Sequence, residues 1–297
     1  MMYYYNTILL YLNKTDTSTR RRHTLDYAPF SVYAIRYARH SGRTSSDNYL
    51  GHVDFHDAES DLDYYVWVLR RDDEIYLVDT GFGETAAQQR GRELFMRPAQ
   101  GLKLLGIDAA QVRNIILTHL HYDHAGTLAD FPNATFHVQD AEPTYATGRC
   151  MCHGALRHPY DVEDIVEYVR RLYAGRVTFH QGSSELAPGL SVHLVGGHTA
   201  GLQIVRVWTK RGWVVLASDA THLYGNIGNN APFPVVYNVG DMLEGYRIVR
   251  SLADSEDHII PGHDPQVMQR YPAPSPEHAG QIAQLDVTPT KTAGDAA

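Results

Sequence analysis

The run ILTHLHYDHAG, Ile116 to Gly126, sets His119, His121, Asp123 and His124 within six consecutive positions at the end of an apolar stretch. Few features constrain a fold as tightly. On an extended segment, side chains two apart point the same way, so His119 and His121 can reach one ion. Asp123 and His124 follow after the chain turns toward the small residues Ala125 and Gly126, and can face a neighbouring position. A metal held by such a loop needs further donors from other strand ends, where loops present side chains from a rigid scaffold. The fold must therefore gather several strand ends along one edge.

Three downstream sites meet that demand. His198 lies in GGHTAG after SVHLV, Asp219 in ASDA after WVVL, and His263 in PGHD after HII. Each closes a β-rich run and is flanked by small residues. A single histidine at a strand end is ordinarily structural, but three candidates in one local setting, downstream of His-x-His-x-Asp-His, point to a metal site. All seven donors are nitrogen or oxygen with no thiolate, which suits zinc first and also admits iron, manganese or cobalt.

The surrounding pattern reads as α/β. FSVYAIRYA, YYVWVLR, EIYLVDTG, VRNIILTH, TFHVQ, SVHLVG, QIVRVWT and WVVLAS read as strands, with a short strand at HII and a closing one within GQIAQLDV. Helices are expected in AQGLKLLGI, in DVEDIVEYVRRLY and over Asp241 to Leu252. In the second of these, Val162, Ile165, Val166, Val169 and Leu172 fall at helical spacing, with acids early and arginines late as the helix dipole favours. No repeat and no Pro/Gly/Ser-rich linker divides the strands, so residues 27–288 read as one α/β domain. Residues 1–26 lack any sustained period and read as a flexible appendage, and residues 289–297 as a tail.

Bulk properties exclude several functions. A formal net charge of -8 argues against a nucleic-acid partner, whose phosphates demand a concentrated basic surface. Two cysteines, Cys150 and Cys152, are too few for a disulfide framework and read as reduced thiols. No apolar run approaches the ~20 residues of a membrane span, and the opening MMYYYNTILLYLNK lacks a basic region and a cleavage site. The expectation is a cytoplasmic protein with no membrane partner.

Taken together, THLHYDHAG, the DTG of Asp79 to Gly81, GGHTAG, SDA and PGH resemble the metallo-β-lactamase superfamily from roughly Tyr27 to Val287. The resemblance implies a four-layer αββα sandwich with a dinuclear site at the open edge of its two sheets. Carried over, His119, His121 and His198 hold one ion, Asp123, His124 and His263 hold the other, Asp219 bridges them, and Asp79 supports the ligand loops. Within the superfamily the sequence is similar to the N-acyl-homoserine lactonase group. The intervals from His198 to Asp219 and on to His263, 21 and 44 residues, fit that group. Asp219 also stands where zinc β-lactamases present a cysteine, which counts against penicillin as substrate.

What this implies is a quorum-quenching type of hydrolase, in which a hydroxide bridging two divalent ions opens the ring of an N-acyl-homoserine lactone or related lactone. Asp123 passes a proton to the leaving alkoxide. That group commonly carries a tyrosine three residues after the bridging aspartate. Here the position is His222, followed by Tyr224, and either can donate a hydrogen bond to the developing oxyanion; an imidazole there is expected to titrate near neutral pH. The rival readings are a thioester hydrolase of the glyoxalase II type, which has the same site but adds a C-terminal helical region, a nuclease of this fold, and a non-catalytic metal-binding module.

Overall fold

The computed structural model describes residues 27–51 and 58–290. The proposed appendage, residues 1–26, lies outside the described residues. At the other end Thr290 still donates its backbone N–H to Arg270, so the packed chain runs two residues into the segment read as tail.

Strands β1 (Ser31–His40), β2 (Leu62–Arg71), β3 (Glu74–Val78), β4 (Glu93–Leu94), β5 (Asn114–Ile116), β6 (Thr135–Gln139), β7 (Val177–His180) and β13 (Ile282–Gln284) form the first sheet, in the order β13-β1-β2-β3-β5-β6-β7 with β4 on β1. Strands β8 (Ser183–Ala187), β9 (Leu190–Leu194), β10 (Gln203–Thr209), β11 (Gly212–Ser218) and β12 (Ile259–Pro261) form the second, in the order β12-β11-β10-β9-β8. Strands β4, β7 and β8 are not announced by the sequence pattern. The first is only two residues long, and the others carry exposed polar positions that blur the alternation.

The layers follow from which residues share a face. Alternate residues of β2 point opposite ways. Tyr65, Trp67 and Leu69 meet Val192, Val205, Val207, Val214 and Leu216 of the second sheet in one core. Tyr64, Val66 and Val68 face the other way, with Leu102, Leu128 and Tyr168 from helical segments. Burial on both faces explains why β2 reads as a continuous apolar run rather than an alternating one. Across the second sheet, Ile204, Val215 and Ala217 pack on Met242, Tyr246 and Val249 of the helix Val239–Leu252. The protein is thus the expected four-layer αββα sandwich.

The helix Val162–Tyr173 forms with Asp161 as its N-cap, accepting from the N–H of Glu163. Its inward face differs from the expected one. Tyr168 is its buried residue, with Ile165 against the core, whereas Val162, Val166 and Val169 are exposed. Ile165 and Tyr168 stand three residues apart on one face of the helix, and that face, not the one carrying Val162, Val166 and Val169, meets the sheet.

This topology gathers the chemistry. Strands β3, β5 and β6 run parallel, as do β11 and β12. Asp79 follows β3, the histidine run follows β5, Asp219 follows β11 and His263 follows β12, while His198 follows β9. Carboxyl ends of parallel strands are where open α/β sheets present ligands. Among the described residues no helix is long and apolar enough to cross a membrane.

Candidate metal centre

The seven residues read from the sequence as ligands come together. His119, His121, His198 and Asp219 offer donor atoms lying within 4.8 Å of one another, and so do Asp123, His124 and His263. All are buried except Asp123, whose side chain keeps 12% of its surface exposed and lines the cleft.

Asp219 stands between the two groups. Its Oδ2 lies 3.1 Å from His198 Nε2 and 3.9 Å from His119 Nε2. Its Oδ1 lies 3.0 Å from His263 Nε2 and 3.2 Å from His124 Nε2. One carboxylate oxygen therefore serves each cluster, which is the arrangement a bridging ligand requires. The close approach needs Gly262, because a Cβ there would sit 2.8 Å from Asp219 Oδ1 and 2.8 Å from the Ser218 backbone.

The opposite ring nitrogens fix the tautomers. His124 Nδ1 donates to Asp79 Oδ2 at 2.8 Å, His198 Nδ1 to the Val235 carbonyl at 2.6 Å, and His263 Nδ1 to the Asp63 carbonyl at 3.0 Å. The Thr118 hydroxyl donates to Asp79 Oδ2 and so accepts from His119 Nδ1 at 3.1 Å. Each of these four rings thus turns Nε2 inward, and in its neutral form presents there the lone pair with which imidazole binds a metal. His119 Nε2 and His124 Nε2 are buried and have no hydrogen-bond partner. Leaving such atoms unpaired is costly, and a cation in each cluster removes the cost. The donor set fits divalent metal ions.

Electrostatics divide the histidines. Burial would lower His124 and His263, but Asp219 with Asp123 holds both above the usual imidazole range, so a metal bound there displaces a proton. Burial, then the neighbouring His124, pushes His119 well below the usual imidazole range, and burial with His198 does the same to His121. Both are neutral and available as ligands. Burial alone would raise Asp219, but the surrounding His222, His263, His124 and His198 hold it well below the usual carboxylate range.

Asp79 occupies the supporting place expected of it. It is fully buried in a left-handed backbone (φ 62°), accepts from the N–H and hydroxyl of Thr118, and orients His124.

His222 and Tyr224 part company. The His222 ring stacks on Phe233, centroids 3.8 Å apart and 6° from parallel, and aims Nε2 at Asp219 Oδ2 from 2.9 Å. Burial pushes it down to about 3, so it is neutral at pH 7 rather than titrating there as the sequence suggested. Tyr224 does not line the cleft. It packs among the core residues between the sheets, under the Arg270 guanidinium at 4.5 Å. The turn that begins the helix Tyr224–Gly228 carries it to the far side, so it is a poor candidate for touching substrate.

One functional side chain has no signature in the sequence. Glu142 is fully buried in the helix Ala141–Ala146. Its Oε1 accepts from the Leu120 N–H at 2.9 Å and the Tyr160 hydroxyl at 3.0 Å. Its Oε2 accepts from the Thr199 hydroxyl at 2.6 Å and the Gly201 N–H at 3.2 Å. One carboxylate therefore ties the loop of His119 and His121 to the loop of His198. Tyr160 packs edge-on against His121 at 4.6 Å.

Comparison with known proteins agrees with this geometry. The family model of the metallo-β-lactamase superfamily matches residues 61–273, and the chain belongs to that superfamily of metal-dependent hydrolases. A probable metallo-hydrolase of Mycobacterium tuberculosis is 30% identical over 234 residues, covering 69% of this chain and 72% of the relative. An N-acyl homoserine lactonase of a Bacillus species is 29% identical over 190 residues, covering 58% of this chain and 70% of the relative. Among solved structures, a quorum-quenching N-acyl homoserine lactone lactonase superposes with a TM-score of 0.66 at 25% identity, over 81% of this chain and 95% of that one.

Proposed function

We propose that this protein is a dinuclear, zinc-dependent carboxylic-ester hydrolase that opens a lactone ring, the substrate being an N-acyl-homoserine lactone or a related lactone. The observation that carries the reading is the division of Asp219 between the two histidine clusters. Its neighbours with lactonase activity support the choice of lactone. Two divalent ions bound here supply a water acidified toward neutral pH and a Lewis acid for the carbonyl oxygen.

The chain's own residues do the rest. Opening the ring consumes one water: the acyl carbon gains an oxygen, the ring C–O bond breaks, and the alkoxide takes a proton. Asp123 is placed to hand over that proton, since it is the more exposed of the two cluster carboxylates that line the cleft, and its Oδ2 lies 3.8 Å from both His124 Nε2 and His263 Nε2. His222, held flat against Phe233, has one N–H as a neutral imidazole; it points at Asp219 Oδ2, and a substrate oxygen drawn to the same place shares it. Leu62, Phe233, Pro234 and Val235 wall the cleft and limit water around the reacting carbonyl.

Metal-loaded protein assayed on matched lactones and thioesters is expected to open lactones preferentially. Under the same conditions His222→Ala should lower kcat/KM by about 10- to 100-fold with metal content unchanged, as loss of one oxyanion donor does. Tyr224→Phe should be neutral. Faster turnover of thioesters, or a silent His222→Ala beside a damaging Tyr224→Phe, overturns the reading.

A further inference from the structure

The cleft has a basic mouth in an acidic protein. Arg43, Arg90, Arg92, His40 and His158 line it together with the cluster, although the chain carries a formal net charge of -8. Other half-buried arginines of the first sheet are neutralised. Arg36 and Arg39 pair with Asp63, and Arg97 pairs with Asp130 and Glu84. Arg43, Arg90 and Arg92 have no ion-pair partner among the described residues. Arg43 gives Nε to Asn48 Oδ1 at 2.7 Å and Nη2 to the Asp47 carbonyl at 2.6 Å. Arg92 gives Nε to the Tyr122 hydroxyl at 3.2 Å and Nη1 to the Arg90 carbonyl. Arg90 holds the carbonyls of His158 and Tyr160 and lies over the Tyr122 ring at 3.9 Å. All their partners are neutral.

Two acids stand nearby, and Asp47 also lines the mouth. Asp47 accepts from the Thr44 N–H and Asp61 from the Gly42 N–H, and among the described residues neither forms an ion pair with the three arginines. The positive field is felt locally: burial, then Arg92 and Arg43, pushes His40 down to about 4, and its Nδ1 is buried without a partner. A guanidinium partly removed from water with no counter-charge is costly unless a ligand supplies that charge.

Two of the arginines are also tethered to the metal centre through aromatic rings, Arg43 by one ring to His222 beside Asp219 and Arg92 by two to His263. Arg43 lies over Phe233 at 5.5 Å, and Phe233 stacks on His222. Arg92 holds Tyr122, whose hydroxyl is 3.3 Å from that of Tyr64, and Tyr64 packs edge-on against His263 at 5.1 Å. A group held between Arg43 and Arg92 therefore belongs to the same molecule whose carbonyl reacts.

We infer that the substrate carries a carboxylate, bound by Arg43 and Arg92 at the mouth of the cleft while its lactone carbonyl lies at the metal centre. This rests on the lactone-opening reading and narrows its substrate class: a neutral acyl-homoserine lactone leaves these two cations unanswered. Arg43 retains Nη1 for a carboxylate oxygen. Guanidinium to carboxylate is the stronger, charge-assisted form of hydrogen bond.

The test compares 5-oxotetrahydrofuran-2-carboxylate with its neutral carboxamide, two lactones of one shape, on metal-loaded wild type, Arg43→Gln and Arg92→Gln. The carboxylate should be preferred at least about tenfold in kcat/KM, mostly through KM, and each variant should lose about tenfold on it with little change on the carboxamide. In parallel, glutarate should raise the Tm of the metal-loaded wild type and fail to do so in the variants. Equal turnover of the two lactones overturns the inference and leaves the lactonase reading intact. So does an equal loss on both lactones in the variants, which marks the arginines as structural. If neither lactone opens but glutarate still stabilises only the wild type, the anion site stands and the lactone reading fails.

Discussion

Asp219→Ala is expected to lower turnover by at least about a thousandfold, about 4 kcal/mol of transition-state stabilisation, and to strip metal from the protein. The reason is geometric. Asp219 presents one oxygen to His119 and His198 and the other to His124 and His263. Alanine removes both at once and leaves several inward-facing histidines in one cavity with only Asp123, on the cleft side, as a negative charge among them. Asp219→Asn is the informative companion, because it keeps the shape but offers one oxygen and a nitrogen that cannot ligate as carboxylate does. It should retain part of the metal and little of the rate. Full activity in Asp219→Ala, with metal content unchanged, contradicts the ligand assignment.

Glu142→Ala is expected to be strongly destabilising although the residue is not a proposed metal ligand. Four donors, from Leu120, Tyr160, Thr199 and Gly201, converge on its carboxylate. Burial pushes the carboxyl up, and those hydrogen bonds from Thr199, Leu120, Tyr160 and Gly201 pull against it. Deleting the side chain orphans two backbone N–H groups and two hydroxyls inside the protein. At about 1–3 kcal/mol per orphan, with the hydroxyls able to reorient, the loss should be about 3–4 kcal/mol. For a chain of this size that is a fall in Tm of about 10 °C. Water cannot readily repair the gap from the other side, since Gly201 packs on the Glu142 backbone so closely that its own Cβ would lie 2.2 Å from the Glu142 nitrogen. Glu142→Gln keeps the volume and one acceptor and should cost about half as much. Thermal unfolding of metal-free and metal-loaded protein separates the effects, because the two ligand loops it joins are also held by metal. A Tm unchanged in both forms would show that the loops do not depend on this carboxylate.

Glu142 also shows where sequence reading reaches its limit. The histidine run and the three downstream strand ends were legible because metal ligation demands particular residue types at strand termini, and that demand leaves a local signature. Most strands were legible for a similar reason, since apolar runs bounded by turn residues mark strands whatever their partners, whereas their division into two sheets came from the family resemblance alone. Glu142 carries no such mark. In DAEPTYATG it reads as an acid in the first turn of a short helix, and only the fold brings Thr199 and Gly201 to it from more than fifty residues away. Arg43 and Arg92 are equally silent, one in a polar loop after β1 and the other beyond the helix Glu84–Arg90. Tyr224 failed differently. It lies two residues beyond His222, but a helix begins between them and turns its side chain into the core.

The account's central claim is a pair of metal ions sharing Asp219, and counting metals tests it most directly. Protein loaded with zinc and freed of unbound metal by gel filtration should carry about two ions per chain by elemental analysis, falling to about one or none in Asp219→Ala. One ion or fewer per wild-type chain, after loading with zinc and separately with iron, manganese and cobalt, would contradict it.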